Sequence, residues 1–221
     1  MTNPPILLPQ PAVDRINRGD VDILRDGLRR GLRPDTLWPV WEIPLLHGIC
    51  LYCPPHAAQM VQAMSEAGHP INLTHQDMPP LLWTIAGAQA GTEPAAQMAA
   101  RLALLETLLE ADPGSLILAT MAALRAGYQE AFEMFLRKGC DPNAKTAEGH
   151  TLLHEAYQQK NSLAAAALLS AGADPNVVDA QGNLPKAGKK HWPLVEREAM
   201  DMEVESLVQH PYLPPAAVPR L

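Results

Sequence analysis

Apolar residues come along this chain in short clusters, each ended by glycine or proline before a long helix can grow. The clearest stretch runs from Thr146 to Val178. Leu153, Ala156 and Tyr157 fall at helical spacing on one side, with Thr151 ahead of them as a helix start. Lys160 and Asn161 interrupt that helix, and Leu163 to Leu169 is an Ala/Leu run of about two turns. Gly172 follows where a helix end needs a left-handed residue. Asp174-Pro175-Asn176 cannot continue a helix and reads as a turn, leading to an extended pair that ends at Gly182. The pattern predicts two short helices and a projecting turn. Neither helix is stable alone at this length, because the first turn is costly to nucleate, so the unit must bury its face on a neighbour.

Those neighbours can be read upstream. The closing Gly172-Ala173-Asp174-Pro175-Asn176 is matched 33 residues earlier by Gly139-Cys140-Asp141-Pro142-Asn143. Worn copies stand at Gly68-His69-Pro70-Ile71-Asn72 and at Gly31. Openings recur as well: Pro44-Leu45-Leu46-His47, Pro80-Leu81-Leu82-Trp83 and Thr151-Leu152-Leu153-His154, with Leu118-Ala119-Thr120-Met121 in the remaining slot. Composition agrees with helix pairs. Ala and Leu make 64 of the 221 residues against 18 Val plus Ile and 10 aromatics, which favours helix and excludes a large β-sandwich. The 22 prolines, about twice the usual share, require short helices with frequent breaks. Pro34, Pro44, Pro70, Pro80, Pro142 and Pro175 fall at unit boundaries, where a missing N–H costs little.

The opening, the two helices and the closing turn resemble the ankyrin repeat, with its G-x-T-P-L-H opening and G-A-D-x-N closing. In the best copy Gly149, Thr151, Leu153, His154, Ala156, Leu168, Leu169, Gly172, Ala173, Asp174 and Asn176 match that pattern position by position. The copy before it keeps Ala123, Gly127, Leu136, Gly139, Asp141 and Asn143, and the N-terminal one keeps Gly19-Asp20-Val21, Leu24, Leu28 and Gly31. The resemblance covers about residues 14 to 185. It implies an all-α, ankyrin-type helical repeat solenoid with short β-hairpin or turn fingers. The expected units are 5–42, 43–76, 77–114, 115–147 and 148–182, followed by a C-terminal capping unit over 183–208 and a proline-rich tail over 209–221.

Several positions depart from the family. Trp83 and Met121 stand where its histidine usually sits, and Leu184-Pro185-Lys186 replaces an opening. An insertion, Gly87 to Gln97, separates the helices of the third unit, whose closing turn is cut to Asp112-Pro113-Gly114-Ser115. His154 is expected to tie the turns of adjacent repeats together.

The resemblance also implies what the chain does: it binds another protein on its concave side, with no cofactor and no catalytic apparatus. The contacts would come from finger residues Trp38, Trp41, Glu42, Leu73, His75, Lys145, Glu148, His150, Asp179 and Gln181, and from the inner-helix residues Glu155, Tyr157 and Gln158. Trp38 and Trp41 read equally well as binding anchors or as a lid packed on the N-terminal segment. A short array of this kind suits a dedicated inhibitor, such as an immunity-type protein that neutralises a toxin or enzyme. An adaptor that uses its proline-rich tail as a second docking element is the alternative.

Charge narrows the partners. A net charge of −7 and a pI near 5.6 exclude nucleic acid and anionic membrane as main partners, and are compatible with a basic protein. Glu196, Glu198, Asp201, Glu203 and Glu205 read first as the solvated face of a terminal helix, with a partner-facing acidic patch as the alternative, and Lys186, Lys189, Lys190 and His191 read as a solvated loop. Three cysteines are too few and too odd in number for a disulfide framework. With no signal-peptide pattern at the N-terminus, a cytoplasmic protein, monomeric on its own, is expected. One further class stays open: His47, Cys50, Cys53 and His56 are four potential zinc ligands in ten residues, from which a metal-dependent enzyme or sensor could be built. Such a short segment rarely closes a tetrahedron without a second hook elsewhere.

Overall fold

A computed structural model describes residues 8–33, 36–38, 42–89, 91–146, 149–186 and 194–209. Trp41, Glu148, Pro34, Lys189, Lys190, His191 and the tail beyond Gln209 lie outside the described residues. Helices follow one another in pairs: α1 (Gln10–Asn17) and α2 (Val21–Arg29), α3 (Leu45–Tyr52) and α4 (Ala57–Glu66), α5 (Pro80–Ala86) and α6 (Ala95–Ala111). Then come α7 (Leu116–Arg125) and α8 (Gln129–Arg137), α9 (Leu152–Gln158) and α10 (Ser162–Ser170), and the single helix α11 (Leu194–Gln209). The chain divides into two compact units, 1–131 and 132–221. That division falls inside α8.

Several helices start where the local chemistry supplies a cap. Asp20 accepts a hydrogen bond from the Ile23 N–H at 3.1 Å, and Asn161 one from the Ala164 N–H at 2.9 Å. Thr151 and His154 form a reciprocal capping box, in which each side chain accepts from the other's backbone N–H. Pro9, Pro44, Pro79 and Pro94 occupy the cap positions of α1, α3, α5 and α6, and Pro80 opens α5, all sites without an intrahelical N–H partner. Pair ends use glycine: Gly139 and Gly172 both sit at φ 93°, a left-handed backbone that other residues adopt at a cost.

In unit 1 the first helices of successive pairs, α3, α5 and α7, pack on one another, and the second helices α2, α4 and α6 form a parallel layer. Leu45, Leu46 and Ile49 of α3, Leu81 and Ile85 of α5, and Leu104, Leu105 and Leu108 of α6 fill the space between the layers. In unit 2, α9 packs on α10 and α10 on α11. Met200 and Val204 of α11 are buried there. Where the repeat opening fails after Gly182, the described residues hold one α-helix, α11.

The fingers between pairs are short. A two-stranded antiparallel hairpin joins β1 (Leu37–Trp38) to β2 (Ile43–Pro44), pairing Leu37 with Pro44 and Trp38 with Ile43. Single bridges, His75 with Met78 and Lys145 with Thr151, mark two later fingers. Between α6 and α7 a 3-10 turn at Pro113–Ser115 leads directly into the next helix, leaving no room for a finger, as the shortened sequence requires.

Candidate partner-binding surface

In unit 2 the finger chemistry is a ladder of side chains bonded to the next turn's backbone. The Asn143 amide donates to the Gly172 carbonyl at 3.1 Å and accepts from the Asp174 N–H at 2.7 Å, so one closing turn clamps the following one. Lys145 Nζ donates to the Val178 carbonyl at 3.3 Å. One ring nitrogen of His154 completes the capping box, and the other lies 3.0 Å from the Asn183 carbonyl, so this histidine ties adjacent turns together as expected. The ring of His150 stacks on it with centroids 5.6 Å apart, and Nε2 of His150 lies 3.5 Å from the Asp179 carboxylate. Burial alone would raise the Asp179 pKa, but hydrogen bonds from Asn183 and Gln181 outweigh it and hold the carboxyl below its ordinary value.

The anticipated contact residues therefore divide. Glu42, Leu73, Lys145, Gln158 and Gln181 are exposed, and His75, His150 and Asp179 partly so. Asp179 is itself a structural acceptor. Glu155 and Tyr157, expected on an exposed inner face, are buried instead. Glu155 accepts from the Gln159 amide at 2.7 Å, and Tyr157 lies beside Asp201 and Glu205 of α11. Burial, with those two carboxylates, pushes the Tyr157 phenol up to about 12. Neither residue can meet a partner from that position.

Trp38 also corrects the expectation of an exposed anchor. Its side chain is 1% exposed and stacks on Tyr52, with ring centroids 5.5 Å apart. Gly48 makes this possible: a Cβ there would lie 2.5 Å from the indole, so only glycine lets the ring rest on the backbone of α3. Trp38 is thus not an exposed anchor, and the contacts that bury it are with α3.

The four potential zinc ligands are not brought together. His47 is buried against His75 and Trp83, with ring centroids 5.4 and 5.8 Å away. Burial first, and His75 second, lower the His47 pKa to about 4. Cys50 and Cys53 are buried thiols raised by that burial to about 12 and about 11, whereas His56 is exposed ahead of α4. Among the described residues no group of three or more His, Cys, Asp or Glu side chains is placed to hold a metal ion.

One anchor was missed from sequence. Arg101 in α6 and Glu93 in the insertion form an ion pair at 2.8 Å, with side chains 1% and 5% exposed. Arg101 also donates to the Thr84 carbonyl at 2.9 Å, so one guanidinium fastens the inserted loop and the end of α5. The Tyr128 hydroxyl is buried nearby, and its pKa is raised by burial and by Glu93. The signal available was one arginine within the otherwise apolar run Met98 to Leu105. The loop proper ends at Pro94, and Ala95 to Gln97 already belong to α6.

Paired helices stacked in layers, joined by short fingers whose turns are clamped by side-chain amides, define a helical repeat protein with a projecting edge. Residues 95–179 match the family model for ankyrin repeats (3 copies). Over that stretch, helix pairs and closing turns of the ankyrin type are shared with the family. No curated protein matches the sequence. Among solved structures, the chain is similar to one described as the Bd0816 predatory endopeptidase from Bdellovibrio bacteriovorus in complex with immunity protein Bd3460. That match is 12% identical, covers 90% of this chain and 96% of the other, and has a TM-score of 0.59. A second, the ankyrin repeat domain of Bcl-3 from the IkappaB protein family, is 19% identical over 72% of this chain and 85% of that one, with a TM-score of 0.45. At 12% identity, the first of these matches speaks to the fold alone. Ankyrin repeats are protein–protein interaction modules and typically not enzymes. Among the described residues no helix is long and apolar enough to cross a membrane.

Proposed function

We propose that this chain is a dedicated inhibitor, of the immunity type, that binds and neutralises a basic toxin or enzyme through its finger edge. The observation carrying this reading is the clamped finger row of unit 2: Asn143, Lys145 and His154 hold the turns rigid through backbone bonds, while Gln181 and Gln158 stay exposed. A surface already ordered before binding loses little conformational freedom on association, which suits a tight, single-partner complex. Leu73, 45% exposed on the finger between α4 and α5, offers an apolar contact in unit 1. A net charge of −7 steers a basic partner towards the chain, as rapid neutralisation requires. Likeness over 90% of the chain to a structure whose description includes an immunity protein supports the same reading.

Capture with the full-length chain in extract from its native source tests it. The expected catch is one basic enzyme or toxin whose activity falls on binding, with capture weakened by Leu73→Glu or Gln181→Arg and by raised salt. Recovery of scaffold proteins alone, or of an enzyme that stays fully active when bound, overturns the inhibitor reading.

A further inference from the structure

The turn Tyr52-Cys53-Pro54-Pro55-His56 and the inserted region meet at one groove of about 570 Å³ in unit 1. It opens on the turns within helix pairs, whereas the fingers join one pair to the next. Tyr52 and Pro55 line one side, and Pro94 and Ala100 the other. Asn17 and Gln97 add amides that can donate to, or accept from, a peptide backbone. In a protein of net charge −7, none of the described lining residues is a carboxylate, lysine or arginine. Apart from the His56 ring the walls offer no charged side chain as counterion, so an uncharged occupant suits them best.

The walls are built before anything binds. Tyr52 is backed by the fully buried Trp38, which fixes the plane of its ring. Cys53 and His56 hold left-handed backbones at φ 45° and 62°, bending the turn that carries Pro55. The α1–α2 turn presses so close that a Cβ on Gly19 would lie 2.8 Å from Pro55. Across the groove, the buried Arg101–Glu93 pair pins the loop that ends at Pro94. A fixed aromatic face beside proline rings, with amides alongside and no carboxylate, lysine or arginine, matches the recognition of extended proline-containing peptides. Their rings lie flat on aromatic surfaces and their carbonyls take hydrogen bonds.

We infer that this groove docks an uncharged, extended, proline-containing segment of a partner protein, separately from whatever the finger edge binds. The probe is the blocked peptide acetyl-PPAPPLPPA-amide, titrated calorimetrically into the full-length chain, beside the same peptide with serine for every proline. Saturable one-to-one binding is expected, at least tenfold weaker for the serine peptide. Ala100→Glu, which sets a carboxylate in the groove without touching Trp38, should weaken it at least tenfold while leaving the thermal transition in place. Tyr52→Ala should weaken it similarly, and Gln181→Arg on the finger edge should change nothing, which separates this site from the inhibitor reading. Absence of saturable binding, equal affinity for the serine peptide, or indifference to Ala100→Glu in a folded chain overturns the inference. So does tenfold tighter binding when residues 210–221 are replaced by a Gly/Ser segment of equal length, since the groove would then be occupied by the chain's own proline-rich tail.

Discussion

The finger row of unit 2 and the inserted region of unit 1 solve the same problem, holding a loop in place, by opposite means. Between 143 and 183 the turns are held at the surface by side chains bonded to backbone, each contribution small and repeated at the repeat period. Around 87–101 a single buried ion pair holds the loop, with no period and no second copy. Repetition gives graded stability, in which losing one rung is tolerable. A buried charge pair is closer to all or none, because the survivor of a broken pair stays enclosed without its counterion.

That contrast can be attacked first at its strongest point. Arg101→Met should cost about 3–5 kcal/mol of stability in denaturant unfolding, because Glu93 is left charged and buried. The double variant Arg101→Met, Glu93→Leu should recover much of that loss. If it recovers nothing, the pair is not what holds the loop. The next largest effect is acidic. The His47 pKa is lowered from an ordinary 6.5 to about 4, so the unfolded chain takes up this proton first. Its contribution is complete above pH 6.5 and is lost as pH falls towards 4, on the order of 3 kcal/mol by the lower limit. His47→Leu should flatten that limb of a stability-against-pH curve, and an unchanged limb would assign the acid sensitivity to other groups. The smallest effect belongs to the ladder: Asn143→Ala removes two surface hydrogen bonds and should cost about 1 kcal/mol. Hydrogen exchange should quicken at the Asp174 amide while α6 is unaffected. A loss as large as that of Arg101→Met would erase the distinction between the two regions.

The same distinction explains what could be read in the sequence. Thr151 and His154, Gly139 and Gly172, and the Asp-Pro-Asn turns act within a few residues of themselves or at the repeat period, so their roles follow from spacing. The shortened turn at Asp112 was legible for the same reason. Trp38, Tyr157 and Arg101 were not, because each is decided by a non-local partner: a bare backbone at Gly48, a helix forty residues downstream, and a glutamate in an insertion. Exposure of finger and inner-helix residues was inferred from position in the repeat, and it fails at Glu155 and Tyr157. In the His/Cys cluster, four residues close in sequence take three different environments: an aromatic pocket, an apolar core and an exposed cap.

The buried thiols have a practical side. Maleimides and iodoacetamides react with the thiolate, and with pKa values of about 12 and 11 Cys50 and Cys53 are ionised at neutral pH in roughly one molecule per ten thousand or fewer. Cys140 is enclosed as well, so the native protein offers surface reagents almost nothing to alkylate. One cysteine introduced at an exposed finger position would then be the dominant attachment point for a fluorophore or spin label, with no native thiol removed beforehand.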